Sequence, residues 1–415
     1  MKTSKIQGHL VGLFISLSLC SYSQTKTTNE GIMSIVGITG SISEIENLNS
    51  GILTNDGDLY VYNHFTNNGV VTFTNGLTTG ITRLKGLFGF QNIFGSNQMR
   101  WYDCEFDNNL IQPAFHLTNE ISISGTANFM NGIVDDDNFG GLIVFENSSN
   151  HINVDDVSHV DGFVKKIGNQ FFRFPIGDSG FYRYAEISEP TNTVDIFSGK
   201  YFFENSNPLF SHANKAETIS IIDNKEYWRI EKTQSNSDVF ITLSWNENTT
   251  PPEIYAAPYD EIHIVRWNAS QNKWIDEGGI ADETTKEVKT IINPQNEYGV
   301  FTLARIKNIL PCNGKAVIVH NLITPNNDSI NDVLKISGIE NCPNNKIEIY
   351  NRWGVKVYET NSYNTTGNIF EGYSQGRTTI NSNETLPAGT YFYFIEVLNS
   401  NTGETNKLNG YILIN

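Results

Sequence analysis

Asn326, Asp328, Asn331 and Asp332 bring four oxygen-bearing side chains into one short stretch, and a hard cation such as Ca²⁺ takes roughly six to eight oxygen ligands. The spacing fails an EF-hand loop because Ile330 stands where a ligand belongs. The stretch therefore reads first as an Asx-turn fixing the entry to the C-terminal segment, with Ca²⁺ on Asn326, Asp328 and Asp332 as the alternative. Asp135-Asp136-Asp137 is a second acidic group. On a β-helix such carboxylates can hold Ca²⁺ while a basic residue abstracts a proton from a polysaccharide. No Lys or Arg is near it in sequence, so the competing reading is a solvated loop. His151, His159 and Asp161, with Asp155 and Asp156 between them, lack the spacing of a helical or finger-type metal site and read as surface or turn residues. Trp267 and Trp274 bracket an expected hairpin turn at Asn268–Asn272. They form a candidate glycan platform with Arg266 and Asp276 as polar partners, or else a cross-strand or core contact. Nucleophile-elbow, zinc-protease, phosphate-loop and Cys-x-x-Cys patterns are absent. No catalytic residue is assigned, and no cofactor beyond the candidate Ca²⁺.

The elements that would hold these residues are β-strands. Short runs rich in Val, Ile, Tyr, Phe and Thr recur between Asn, Gly, Asp and Ser, and no long stretch has a helical pattern. The 415 residues include 34 Gly and 12% aromatics, and the length suits about two to four domains. The formal charge of −17 argues against nucleic acid and anionic lipid surfaces as partners. Residues 311–415 hold seven Lys or Arg and nine Asp or Glu, so the acidic excess lies upstream.

The chain divides into four segments. Residues 1–23 read as a signal peptide: Lys2 and Lys5, an apolar run from Leu10 to Leu19, and Ser21-Tyr22-Ser23 before an expected cut after Ser23. Cys20 as a lipid anchor is disfavoured by the bulky Leu19 before it. No later segment has about 18 continuous apolar residues, so no transmembrane segment is expected. Residues 24–165 alternate and break at roughly twenty-residue spacing, as in Gly57–Asn63, Asn67-Asn68-Gly69, Val70–Phe73 and Met99–Phe106. This is the texture of a β-solenoid, with an irregular sandwich as the alternative. Asn suits its corners because it tolerates the left-handed region and can satisfy stacked backbone groups. Residues 166–310 offer eight short strands with turn signals between them and read as a β-sandwich, broken at Pro251-Pro252. Residues 311–415 predict a compact antiparallel sandwich built on a hairpin around Arg352-Trp353-Gly354 and on strands 390–397 and 410–414. Cys312 and Cys342 flank part of this segment and are the candidate disulfide. Cys104 reads as a small buried hydrophobe.

The last segment resembles a known family. Its blocks are Ile323-Thr324-Pro325-Asn326-Asn327-Asp328 with Asn331 and Asp332; Ile347–Tyr350 followed by Asn351-Arg352-Trp353-Gly354; Leu386-Pro387-Ala388-Gly389-Thr390-Tyr391; and Gly410–Ile414. In this order they resemble the gliding-motility-associated C-terminal domain, the type B sorting domain of the type IX secretion system, with a small Ig-like β-sandwich fold. The family usually has Gly where Asn327 and Ser329 stand, and many members end in a basic residue where this chain has Asn415. The resemblance implies passage across the inner membrane by the signal peptide and recognition of the folded C-terminal domain by outer-membrane machinery. It also makes the Asn351–Gly354 hairpin part of the surface that machinery reads. Residues 24–310 resemble the cargo region often joined to this domain in Gram-negative gliding bacteria, through Ser158–Gly162, Phe172–Asp178 and Ile264–Asn268.

The expected protein is all-β and secreted or held at the cell surface of a Gram-negative bacterium. Its expected partners are the type IX machinery and surface glycans or matrix. The cargo reads as adhesive or structural rather than enzymatic, the alternative being an extracellular polysaccharide-active enzyme on a β-helix. An enzyme should show facing carboxylates or a carboxylate cluster beside a base; an adhesin should show a flat or aromatic face.

Overall fold

The computed structural model describes residues 26–291, 297–306, 310–312, 315–328, 330–364, 367–374, 385–398 and 405–415. The expected signal peptide, Cys20 and Ser329 lie outside the described residues. The chain is nearly all β, with 49% strand and 3% helix.

The first part is a parallel β-solenoid of about 6 turns. Each full coil gives one strand to each of three sheets. In the first coils these are Thr27–Asn29, Ile32–Ile35 and Ile38–Ser41, then Ile45–Asn47, Ile52–Asn55 and Asp58–Val61. The run expected as one strand at Met99–Phe106 is bent at Tyr102, so Met99–Trp101 joins the second sheet and Asp103–Asp107 the third. Alternation decides what faces inward. Val61, Leu84, Phe106 and Phe129 lie in register on successive coils of the third sheet, and each is fully buried. Burial of each such side chain contributes about 1.5–3 kcal/mol. Outside the same sheet Arg83 bridges Asp58 and Glu105 at 2.8 and 2.9 Å, and Lys85 bridges Glu105 and Asp107 at 2.5 and 2.7 Å. Opposite signs on neighbouring strands avoid the repulsion that stacking like charges would bring.

Asparagine holds one corner of the early coils. Asn29 Nδ2 donates to Asn47 Oδ1, and Asn47 Nδ2 donates to Asn67 Oδ1, each at 2.8 Å. Asn67 Oδ1 also accepts from Gly69 N at 3.1 Å, closing the turn. The neighbouring coils press on that turn: a Cβ on Gly69 would lie 2.2 Å from the carbonyl oxygens of Gly51 and Leu48, so glycine is required there.

Beyond the solenoid the second sheet does not stop. Val164–Ile167 pairs antiparallel with Ile196–Phe202, and the sheet continues through Tyr227–Gln234, Gly299–Ile306, Ile262–Asn268 and Lys273–Asp276 to thirteen strands. A five-stranded sheet containing Phe172–Arg173, Ala185–Ile187, Ile241–Ser244, Glu287–Lys289 and Ile280–Asp282 also belongs to this middle part. One hydrophobic core runs from Ile35 to Leu303, and the expected boundary at 165/166 falls inside the shared sheet. Pro251-Pro252, expected as loop, opens a one-turn helix at Pro252–Tyr255, since the fixed φ of proline suits a first helical position. A buried network ties the middle part together. Arg183 donates to both Glu226 oxygens at 3.1 Å and to Ser244, and Tyr201 and Thr250 donate to Glu226.

The C-terminal part has its own core, including Ile323, Ile347, Ile349, Tyr391, Ile395, Leu408 and Ile412. Its five-stranded sheet runs, edge to edge, Leu322–Ile323, Thr405–Ile414, Gly389–Leu398, Asn345–Tyr350 and Lys356–Asn361. Leu310–Cys312, Lys315–Val319 and Ile336–Ser337 form a second small sheet. Cys342 is disulfide-bonded and Cys104 is free and buried. The side chain of Cys312, its expected partner, lies outside the described residues.

Candidate functional site

The residues singled out in the C-terminal part are scattered along the sequence, yet the sheet brings them to one end. Ile323 pairs with Ile414 in parallel, Ile414 pairs with Gly389, and Tyr350 pairs with Phe392. One strand therefore finishes at Ile323, just before Thr324-Pro325. A second finishes at Tyr350, just before Asn351–Gly354. A third starts from Leu386–Thr390, and the last finishes at the C-terminal Asn415. Cross-links tighten this end: Asn415 N donates to Ile323 O at 3.0 Å and Leu386 N to Gly372 O at 2.7 Å. Gly372 lies against the Pro325 ring, where a Cβ would come within 2.9 Å. Leu386 and Tyr391 are buried in the core, and the Tyr391 hydroxyl donates to Pro387 O at 3.0 Å. Pro387, Gly389 and Thr390 are exposed.

In the Thr324–Asp332 loop, backbone amides occupy the carboxylates. Asp332 Oδ1 accepts from Asn326 N and Asn327 N at 3.0 and 2.7 Å, Asp328 Oδ1 from Ile330 N at 2.7 Å, and Asn326 Oδ1 from Asp328 N at 3.1 Å. Thr324 N donates to Asn331 O at 2.7 Å. These are Asx-turns, in which one oxygen of each of Asn326, Asp328 and Asp332 is bonded to backbone amides. Asn327 and Asn331 sit at φ 63° and 57°, a conformation that asparagine tolerates, which explains how Asn327 serves where glycine is usual.

The Asn351–Gly354 turn is held by one side chain. Asn351 Oδ1 accepts from Trp353 N and Val355 N, both at 3.0 Å, and Gly354 takes φ 76°. Trp353 is 70% exposed, and the Arg352 guanidinium lies 4.2 Å from its ring centre, a cation–π contact.

Of the two readings of the tryptophans in the middle part, the geometry favours the cross-strand core contact over the glycan platform. They form the expected hairpin, with Trp267 directly opposite Trp274 and ring centres 5.6 Å apart at 69°. Trp274, however, is completely buried, its indole donates to Phe210 O at 3.1 Å, and Trp267 packs on the same apolar cluster. The pair is a core contact and offers no free platform to a sugar. The polar partners fare likewise: Arg266 pairs with Glu277, and Asp276 with His263.

The solvated-loop reading of Asp135-Asp136-Asp137 is corrected. Asp135 and Asp136 are buried. Both Asp135 oxygens accept from Asn138 at 2.9 Å, and Asp136 Oδ1 accepts from Phe163 N at 3.0 Å. Folding supplies the base that the sequence lacked nearby, since Lys200, buried, pairs with Asp137. Asp161 stands beside Asp135 in parallel register. Burial, then the neighbouring Asp178, Asp135 and Asp137 carboxylates, push its carboxyl up to about 7. No sequence signal linked these residues, because Lys200 and Asp137 are 63 positions apart. His159 is fully buried rather than superficial. His151 meets Arg173 O, and burial lowers it to about 4. Among the described residues no group of three or more His, Cys, Asp or Glu could hold a metal ion, and no helix is long and apolar enough to cross a membrane.

No curated protein and no solved structure matches the chain. The converging end falls within a family match: residues 317–414 match the model of the CHU_C type IX secretion signal domain, which supports export by the type IX system to the cell surface or extracellular space.

Proposed function

We propose that this chain is a cell-surface or secreted protein of a Gram-negative bacterium. In this reading residues 1–23 direct it across the inner membrane, residues 311–415 sort it through the outer membrane, and residues 24–310 are an adhesive or structural cargo that meets surface glycans or matrix. The observation that carries the sorting role is the convergence of four separate blocks on one end of a separately cored domain within the matched residues 317–414. Sequence blocks far apart that meet at a surface are the pattern expected of a shared recognition patch. Deleting residues 311–415 and locating the product by fractionation tests it. The truncated chain should stay inside the cell, and undiminished appearance outside would defeat the proposal.

The adhesive reading of the cargo is favoured by the outer side of the third solenoid sheet, where Arg83 and Lys85 form a ladder with Asp58, Glu105 and Asp107 and tyrosines 60 and 62 lie nearly parallel at 6.3 Å. A specific observation favours the other reading. Lys200 beside Asp137, with Asp161 held near neutrality, is a carboxylate cluster next to a base. Against catalysis stand the bonds already made within the chain, because Lys200 is paired with Asp137 and both Asp135 oxygens are taken by Asn138. Incubating the purified chain with a panel of acidic and neutral polysaccharides separates the two. Cleavage abolished by Asp161→Asn and Lys200→Met would establish the enzyme, while retention without cleavage supports the adhesin.

A further inference from the structure

We propose that the open end of the solenoid joins two copies of this chain head to head, the first coil of one pairing with the first coil of the other. Thr27–Asn29, Ile32–Ile35 and Ile38–Ser41 each end a sheet, with a strand neighbour on one side alone among the described residues. The carbonyls of Gly31, Ile35, Gly37 and Ser41 accept the amides of Ile52, Asp56, Asp58 and Tyr62 of the second coil at 2.8 to 3.0 Å. Backbone groups alternate sides along a strand, so those of Ile32, Ser34, Ile38 and Gly40 turn outward as a template for another strand. Lys, Pro or a bulge blunts such an edge in most proteins. Here no residue from Gly31 to Ser43 is charged or a proline, and the register to the second coil is unbroken. Ile32, Val36 and Ile38 are 81%, 82% and 82% exposed. Ile52, in register with Ile32 but flanked by a strand on either side, is 39% exposed. A strand laid on the open edge would cover Ile32 to a similar degree.

Three edges around one end are satisfied together only by another solenoid end. A twofold axis through Ile32–Ile35 sets that strand antiparallel to its copy and lays Thr27–Asn29 along the partner's Ile38–Ser41. The expected cut after Ser23 leaves Gln24 and Thr25 ahead of Lys26, too few residues to cover three edges. The far end of the solenoid is a poor substitute, because Val164–Ile167 already pairs with Ile196–Phe202 and Ile176–Asp178 with Phe181–Tyr182. The contact is therefore isologous and closes at two copies instead of growing into a fibre. Charge points the same way. Copies that each carry −17 repel one another, and the uncharged first coil is a face on which they can meet. Lys26 pairs with Glu44 and Glu46. Glu30 lies in the corner between two strands, which the twofold sets against the partner's Val36 and not against its own copy.

The test takes the purified chain of residues 24–415. Sedimentation velocity over a concentration series and hydrogen exchange at its two extremes are the readouts, with the thermal midpoint as the check on folding. Wild type should be a dimer that dissociates on dilution, and the amides of Ile32, Ser34, Ile38 and Gly40 should gain protection with concentration. Ile32→Lys combined with Ile38→Lys should raise the dissociation constant about tenfold or more. Ser34→Pro, which removes an outward amide, should do the same. These side chains are exposed, so the midpoint of the monomer should hold; if a variant loses its fold, the wild-type exchange data decide. Val70→Lys, in the same outer column two coils on, should leave the dimer intact. A wild type that is monomeric at every concentration, that forms a series of higher oligomers, or that gains protection away from residues 26–43 would overturn the proposal. Edge amides protected equally at all concentrations in a monomer would show that another segment of the chain covers them, with the same consequence. Dissociation by Val70→Lys would move the contact to the side of the solenoid and overturn it as well.

Discussion

Asn47 donates from Nδ2 to Asn67 Oδ1 at 2.8 Å, across one rung of the solenoid, and both residues are completely buried. The same Nδ2 faces the carbonyls of Gly51 and Val70 at 3.2 and 3.1 Å, and Asn47 Oδ1 accepts from Asn29. Asn47→Leu removes these partners together and leaves buried polar groups unpaired. We expect a loss of about 2–4 kcal/mol, read as a lower denaturation midpoint in urea. A shift near zero would show that the corner closes without its asparagine.

Arg183 and Glu226 form a buried pair, at 2% and 0% exposure. Removing one partner strands the other charge in the core, so Arg183→Met should cost about 3–5 kcal/mol. The double variant Arg183→Met with Glu226→Met should recover part of that loss, because neither charge then needs solvation. A double-mutant cycle by chemical denaturation checks this, and strict additivity would contradict the coupling.

Asp161 gives a pH signature. Its carboxyl titrates at about 7 in the folded chain, against about 4 when unfolded. Between those values the folded state holds a proton that the unfolded state has released, so this group's contribution to stability falls as pH rises from about 4 to 7. Asp161→Asn should therefore stabilise the protein at pH 8 and change little at pH 4. Equal effects at both pH values, by thermal denaturation, would contradict the assignment.

Trp274→Ala should lower stability by about 3–5 kcal/mol, the cost of emptying a fully buried aromatic site. The same variant should leave any glycan retention by the folded protein unchanged, because the indole never reaches solvent. Loss of retention with an unaltered midpoint would return the pair to a binding role.

Much of this was legible locally. The alternation at Gly57–Asn63 and the breaks at Asn67-Asn68-Gly69 mark the coils, because strand periodicity and turn chemistry act over a few residues. The hairpin at Trp267 and Trp274 was equally readable. The burial of Trp274 was not, since the chain that covers it comes from Phe210, Asn214 and Ala216. Asp135 and Asp136 looked solvated for the same reason: an acidic run has no local mark that distinguishes a surface loop from one lying against Phe163 and Lys200.

The amino-acid sequence by itself determined the strand-and-corner pattern, the all-β class, and the order of the export blocks at the C-terminal end, because each depends on neighbours a few positions apart. Tertiary structure alone decided that the second solenoid sheet runs on into the middle part, that Lys200 meets Asp137, and that Thr324, Asn351, Gly389 and Asn415 come to one end of a sheet. Strand order and register fix which distant segments become neighbours, and burial, charge pairing and exposure follow from those neighbours rather than from the residue itself.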